Sequence, residues 1–171
     1  MFFIEDQNFL NDQQKSFVDE SLLNEKMPFK LATYAVKFND KGYHLINHIK
    51  RPEDIDGNKS EYYWPFVDIV KSFCSKHKIE INKIFRMAVN VTFNNGFVDK
   101  CPIHTDHNYN HKQLILYLND AVGDTVICDN DNKPVIVSQP KKYKAICFGK
   151  LPHYQYFPIF GVRCVLVVTF E

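Results

Sequence analysis

Of the seven histidines in the chain, His44, His48, His77, His104, His107, His111 and His153, only some stand in company that does chemistry. In CPIHTDHNYN, His104 and Asp106 are two residues apart. On an extended segment that spacing puts both side chains on the same side, where they can converge on one ion. A third imidazole, His153, follows 47 residues after Asp106, far enough for several strands to bring the chain back. Two imidazoles and a carboxylate on one face of an ion, with the other positions open, suit iron(II). The H-x-D pair alone is a weak signal, because His and Asp are ordinary loop residues.

Arg163, ten residues beyond His153, strengthens it. It opens the run RCVLVVTFE, which is otherwise apolar almost to its end. A guanidinium at the start of a buried strand needs an anion, since an unpaired buried charge is very costly. Its planar fork fits a carboxylate in bidentate fashion. The structural alternative is an internal ion pair with Asp124 or Glu171.

The elements that must position these residues are mainly strands. Short β-rich runs at 85–93, 102–104, 113–118, 124–128, 134–137, 143–148 and 163–170 are broken by Asn, Asp, Gly and Pro, the spacing of a sandwich or barrel. Upstream, residues 11–24 carry helix formers with apolar positions at Phe17, Val18, Leu22 and Leu23 behind an Asn that can cap. Residues 31–38 and 43–49 are apolar runs around Asn39-Asp40-Lys41-Gly42, good turn chemistry for a hairpin. Residues 51–59 read as loop. From 64 to 78, Pro65 suits a first helical turn and Phe66, Ile69, Val70 and Phe73 form the stripe of a helix laid on a core; Trp64 reads as core. The expected fold is α+β, mainly β: a jelly-roll core over 85–171 with a helical and hairpin support over 1–84, all in one domain of 171 residues.

At this point the sequence resembles the 2-oxoglutarate and iron(II)-dependent dioxygenases, in the prolyl 4-hydroxylase-like branch. The resemblance covers about residues 86–170 and rests on RMAVNVTFN, the HTD pair, ILYLND and PHYQYFPIFGVRCVLVVTF. It implies a double-stranded β-helix with His104, Asp106 and His153 as iron ligands and Arg163 on the distal carboxylate of 2-oxoglutarate. Tyr117 matches a tyrosine that hydrogen-bonds the same carboxylate. Asn90 or Thr92 is expected to face the co-substrate. Gly123-Asp124-Thr125 sits where the family often has a Gly-Gly pair before a strand, which leaves Thr125 as a co-substrate contact of altered setting. The implied reaction consumes O2 and 2-oxoglutarate, releases succinate and carbon dioxide, and hydroxylates a peptidyl residue, such as proline, or a small metabolite.

His107 and His111 are left outside the iron ligands, since further imidazoles would fill the open positions. They belong at the pocket mouth or in solvent, with Asn108, Tyr109 and Asn110 as candidate substrate contacts. A cupin-type metal-binding barrel without 2-oxoglutarate is the alternative, though it leaves Arg163 without purpose. Nucleic-acid demethylases of the same fold carry a further arginine six residues after the co-substrate arginine, where this chain has Thr169.

The net charge of +1, from 21 basic and 20 acidic residues, supplies no field for a phosphate backbone, so nucleic acid is not an expected partner. The five cysteines are odd in number and lack a C-x-x-C pair, against a disulfide framework or structural zinc site; they read as buried apolar positions. No run approaches the ~20 apolar residues of a membrane span, and the acidic start of MFFIEDQNFL is not a secretory signal. A cytoplasmic location is expected; oligomeric state is not legible.

Overall fold

Alternation along one strand, β10 (Val162–Phe170), organises the molecule. Cys164, Leu166, Val168 and Phe170 point to one side, into a core shared with two helices, while Val165 and Val167 point to the other. That is the period of two of an extended chain buried on both faces. In the computed structural model, which describes residues 1–23, 27–54 and 60–171, β10 lies at the middle of a seven-stranded sheet. The other strands are β1 (Phe3–Asp6), β2 (Lys30–Ala32), β3 (His44–Lys50), β4 (Ile84–Phe93), β5 (Lys112–Tyr117) and β8 (Ala145–Gly149), in the order β1-β8-β5-β10-β4-β3-β2. All the pairings are antiparallel. A smaller sheet has the order β7-β6-β9, from β6 (Thr125–Cys128), β7 (Pro134–Ser138) and β9 (His153–Gln155).

The expected run at 102–104 is not a continuous strand. Bridges Lys100↔Tyr156 and His104↔His153 lay residues 100–104 beside β9, in the fourth position of the smaller sheet. This four-position layer and the central strands β8-β5-β10-β4 of the large sheet make the expected double-stranded β-helix.

The helices cover the outer face of the large sheet. α1 (Asp12–Leu23) begins at a reciprocal cap: Asn11 Oδ1 accepts from the Gln14 amide at 2.8 Å, and Gln14 Oε1 accepts from the Asn11 amide at 3.1 Å. Gln14 Nε2 also donates to Asp68 and Ser72, both at 2.8 Å, tying α1 to α2 (Tyr63–Lys76). The predicted stripe of α2, Phe66, Ile69, Val70 and Phe73, is fully buried. Trp64 is not core: it is 67% exposed, because two residues before Phe66 is about 200° round a helix of 3.6 residues per turn. Asn24 and loop residues 55–59, both in predicted segments, lie outside the described residues, as do the side chains of Leu22 and Leu23. No helix among the described residues is long and apolar enough to cross a membrane.

Two further expectations change. The hairpin forms, with Lys30↔Ile46 register, but its first strand ends at Ala32 instead of continuing to Phe38. The Asp40 carboxylate accepts from the amides of Ala35, Val36, Lys37 and Gly42 at 2.7–3.2 Å, and so coils residues 33–43 into a compact loop. Residues 1–84 are also more than a support, since β1, β2 and β3 extend the same sheet as the core strands.

Candidate functional site

The smaller sheet creates the first half of the site. The His104 amide donates to the His153 carbonyl at 3.0 Å and the His153 amide to the His104 carbonyl at 2.9 Å, a hydrogen-bonded antiparallel pair. Their rings therefore stand side by side, with centroids 4.5 Å apart. Each ring is oriented alike: Nδ1 of His104 lies 2.9 Å from the Pro102 carbonyl and Nδ1 of His153 lies 3.0 Å from that of Leu151. A carbonyl only accepts, so Nδ1 carries a proton and Nε2 is the nitrogen turned to the site, the one a metal would take. Asp106 brings Oδ1 to 3.6 Å from His104 Nε2. Ligand atoms of His104, Asp106 and His153 all lie within 4.8 Å of one another.

Electrostatics divides the three. Burial lowers the pKa of His104, but the Asp106 carboxylate and the Cys101 side chain beside it more than offset that, raising it to about 10. Burial pushes His153 down to about 4, against the pull of Asp106. For Asp106, burial acts upward, yet the adjacent His104 ring and the positive surroundings, including Arg86, hold its carboxyl well below the usual range. The metal-free site at neutral pH thus holds one carboxylate, one imidazolium and one neutral imidazole.

The large sheet supplies the second half. Arg163, 1% exposed, reaches in from β10; Nη1 donates to Gln155 Oε1 and Nη2 donates to Thr125 Oγ1 at 2.7 Å. Its only partners are neutral, so neither Asp124 nor Glu171 pairs with it among the described residues, and burial lowers its pKa. Asn90 and Thr125 line the same cavity as Arg163 and the three metal-ligand candidates. Thr92 instead points its hydroxyl at the Arg163 carbonyl, at 3.3 Å. Tyr117 does not line the cavity: its hydroxyl stands behind Thr125, 2.9 Å from Oγ1, and 3.2 Å from the Ser138 carbonyl. Gly123 is required at the bend before β6, with φ +100° and a Cβ position only 2.6 Å from the Tyr156 carbonyl.

The cavity between the sheets measures about 80 Å³, several times the ~10–15 Å³ one water needs. Five buried side-chain atoms among the described residues lack a hydrogen-bond partner, and four of them belong to residues lining it: Asn90 Oδ1, Asp106 Oδ2, Gln113 Oε1 and Arg163 Nε. Buried polar groups without partners are rare and costly, so their concentration here marks a place for a polar ligand. The donor set fits iron(II), and the lone buried guanidinium fits a carboxylate.

Three lining residues escaped the sequence reading. Gln113 places Nε2 3.3 Å from His153 Nε2, Gln155 fixes Arg163, and Arg86 approaches Asp106. Each stands two or four residues from a residue already singled out (His153, Tyr117, Asn90), so the period of two was their signal. His107 is held by Thr169, with Nε2 2.8 Å from its hydroxyl, and stacks on Tyr109 at 4.6 Å. His111 is buried behind them.

Comparison with solved structures settles the architecture. Over 99% of this chain and 84% of the other, it superposes on a 2OG-Fe(II) oxygenase family oxidoreductase from Burkholderia pseudomallei with TM-score 0.76 and 14% identity. The chain has the fold of the 2OG-Fe(II) oxygenases. Within that fold it is similar to a Pseudomonas putida prolyl-4-hydroxylase (TM-score 0.66, 13% identity, 99% and 92% of the two chains). It is also similar to a Trichoplax adhaerens prolyl hydroxylase in complex with a hypoxia inducible factor peptide fragment (0.69, 20%, 98% and 82%). No family model matches the sequence, and no curated protein matches it.

Proposed function

We propose that the protein is a 2-oxoglutarate- and Fe(II)-dependent dioxygenase that hydroxylates a peptidyl side chain, with proline as the first candidate, or a small metabolite. The observation that carries this reading is one cavity holding a His-Asp-His ligand set at one place and, at another, a fully buried arginine paired only with neutral groups. His104, Asp106 and His153 would hold iron(II), and Arg163, steadied by Gln155 and Thr125, would receive the distal carboxylate of 2-oxoglutarate. Tyr117 acts on that carboxylate through Thr125, whose hydroxyl it positions.

When bound, iron(II) and 2-oxoglutarate would supply the chemistry: O2 is the oxidant, 2-oxoglutarate the two-electron donor, and succinate and carbon dioxide are the by-products. The chain's own work is to orient and exclude water. The Nδ1 bonds to backbone carbonyls aim both imidazoles. Gln113 lines the cavity beside His153, and the apolar wall of Ile115, Val165 and Val167 excludes water. The prolyl hydroxylases of the same fold make a peptide substrate the leading case. The cytoplasm, where thiols stay reduced, suits the five free, buried cysteines.

The test is an anaerobic titration with iron(II) and 2-oxoglutarate, following the weak visible charge-transfer band that forms when the keto acid chelates iron. The band is expected in the native protein and absent in His153→Ala. Iron binding without a band would transfer the chain to the cupin-type reading, a metal site that does not use 2-oxoglutarate.

A further inference from the structure

The cavity has a cation that the reading above leaves without a task. Arg86 lines it from β4. In the sheet register Arg86 faces Thr169 while Arg163 faces Thr92. The two arginines are thus six residues apart along β10, about 20 Å of extended chain, and stand toward opposite ends of one cavity.

Arg86 has little to hold it where it is. Among the described residues its one ion-pair partner is Asp106, with Nη1 3.7 Å from Oδ1, beyond hydrogen-bond range. None of its five donors makes a hydrogen bond among the described residues, and its side chain is 22% exposed, within reach of an incoming ligand. On β3, burial first and the Arg86 charge as well lower the pKa values of His44 and His48, and a histidine offers a guanidinium no counter-charge. Among the described residues Asp106 is the only carboxylate lining the cavity, against Arg86 and Arg163. With Asp106 committed to a divalent metal, no carboxylate among the described residues is left to neutralise Arg86.

We propose that Arg86 is a second carboxylate-binding residue, receiving an anionic group of a ligand beside the metal ligands, at the end of the cavity away from Arg163. This rests on the proposed function. The planar fork of a partly desolvated guanidinium is matched to a carboxylate in two-point contact. The carboxylate has two possible sources: an acidic substrate, or the metal-proximal end of 2-oxoglutarate itself.

The experiment uses cobalt(II)-loaded protein, which is stable in air, with native, Arg86→Gln and Arg86→Lys chains, and calorimetry as the readout. Cobalt affinity of Arg86→Gln should be equal to or tighter than native, because a nearby positive charge is removed. Two carboxylate probes follow: 2-oxoglutarate, then N-acetyl-L-aspartate on the protein already holding 2-oxoglutarate. Either probe should bind Arg86→Gln at least tenfold more weakly, with part of the loss restored in Arg86→Lys. Loss for 2-oxoglutarate assigns the carboxylate to the co-substrate; loss for N-acetyl-L-aspartate alone assigns it to the substrate.

The proposal is overturned if both probes bind Arg86→Gln as they bind the native protein, or if the native protein takes neither probe. It is also overturned if the variant loses cobalt affinity tenfold, which makes Arg86 a brace for Asp106. A native protein that binds cobalt and N-acetyl-L-aspartate but not 2-oxoglutarate would sink the dioxygenase reading and leave Arg86 to be judged on the aspartate probe alone.

Discussion

The two faces of the large sheet are made by the same strands and obey opposite rules. On the outer face, Met87, Val89, Leu114, Leu116, Leu166 and Val168 are buried without a polar atom among their side chains, packed under α1 and α2. On the inner face, the alternate residues of those strands include Arg86, Asn90, Gln113 and Arg163, three of which carry a buried polar atom with no partner. The outer face contributes stability through burial of apolar area. The inner face gives some of it up, because unpaired buried polar groups and an isolated buried guanidinium oppose folding. A strand that slipped by one residue would exchange the two faces, so the packing of the outer face is what keeps the reactive side chains turned inward.

That contrast can be broken by substitution. Leu166→Ala, on the outer face, should destabilise the protein by about 2–5 kcal/mol in denaturant unfolding; a change under about 1 kcal/mol would mean the helices are not seated on this sheet. On the inner face, His153→Ala should weaken metal binding at least 100-fold, about 2.7 kcal/mol, while leaving unfolding of the metal-free protein nearly unchanged. Arg163→Met should abolish 2-oxoglutarate binding and yet cause no loss of stability, with a gain of up to about 1–4 kcal/mol, since a buried charge is replaced by an apolar side chain of similar length. A marked destabilisation would show that Arg163 is structural.

The smallest effect sharpens the comparison instead. With His104 raised to about 10, His153 pushed down to about 4 and Asp106 ionised, metal uptake at pH 7.5 should release about one proton, from His104. Calorimetry in buffers of different ionisation enthalpy measures it, and a value near zero would remove His104 from the ligand set. The sign also governs the metal-free protein. A histidine raised in the folded state adds stability that is complete below its ordinary pKa and is lost as pH climbs toward 10. Thermal unfolding should therefore show the apo form weakening on the alkaline side, an effect that saturating metal removes.

Much of this was legible because β10, β5 and β8 are long apolar runs and α2 carries a clear stripe. What was not legible is instructive in particular residues. The strand Phe3–Asp6 is four residues with acids at half its positions, and nothing local separates it from a loop; it is a strand because β8 offers an edge. β9 is three residues, set by its pairing with β6 and not by propensity. Gln113, Gln155 and Arg86 stood in phase with residues already chosen, but the phase does not say which face turns inward. Trp64 was misplaced by its apolar character when its helical angle already excluded it from the stripe.

The order of strands in the large sheet has a consequence for biosynthesis. β4 and β5 flank β10 and do not touch each other, so neither can complete its ladder until residues 162–170 have left the ribosome. β1 must likewise wait for its partner Phe148, 145 residues after Phe3 (148 − 3). The nascent chain therefore carries unpaired strand edges until those residues emerge, the condition under which chains aggregate. Folding is slow in such a topology, because loops of this length must close before any pairing rewards them. Chains ending before residue 162 should accumulate as insoluble material, even though every metal ligand has already been made.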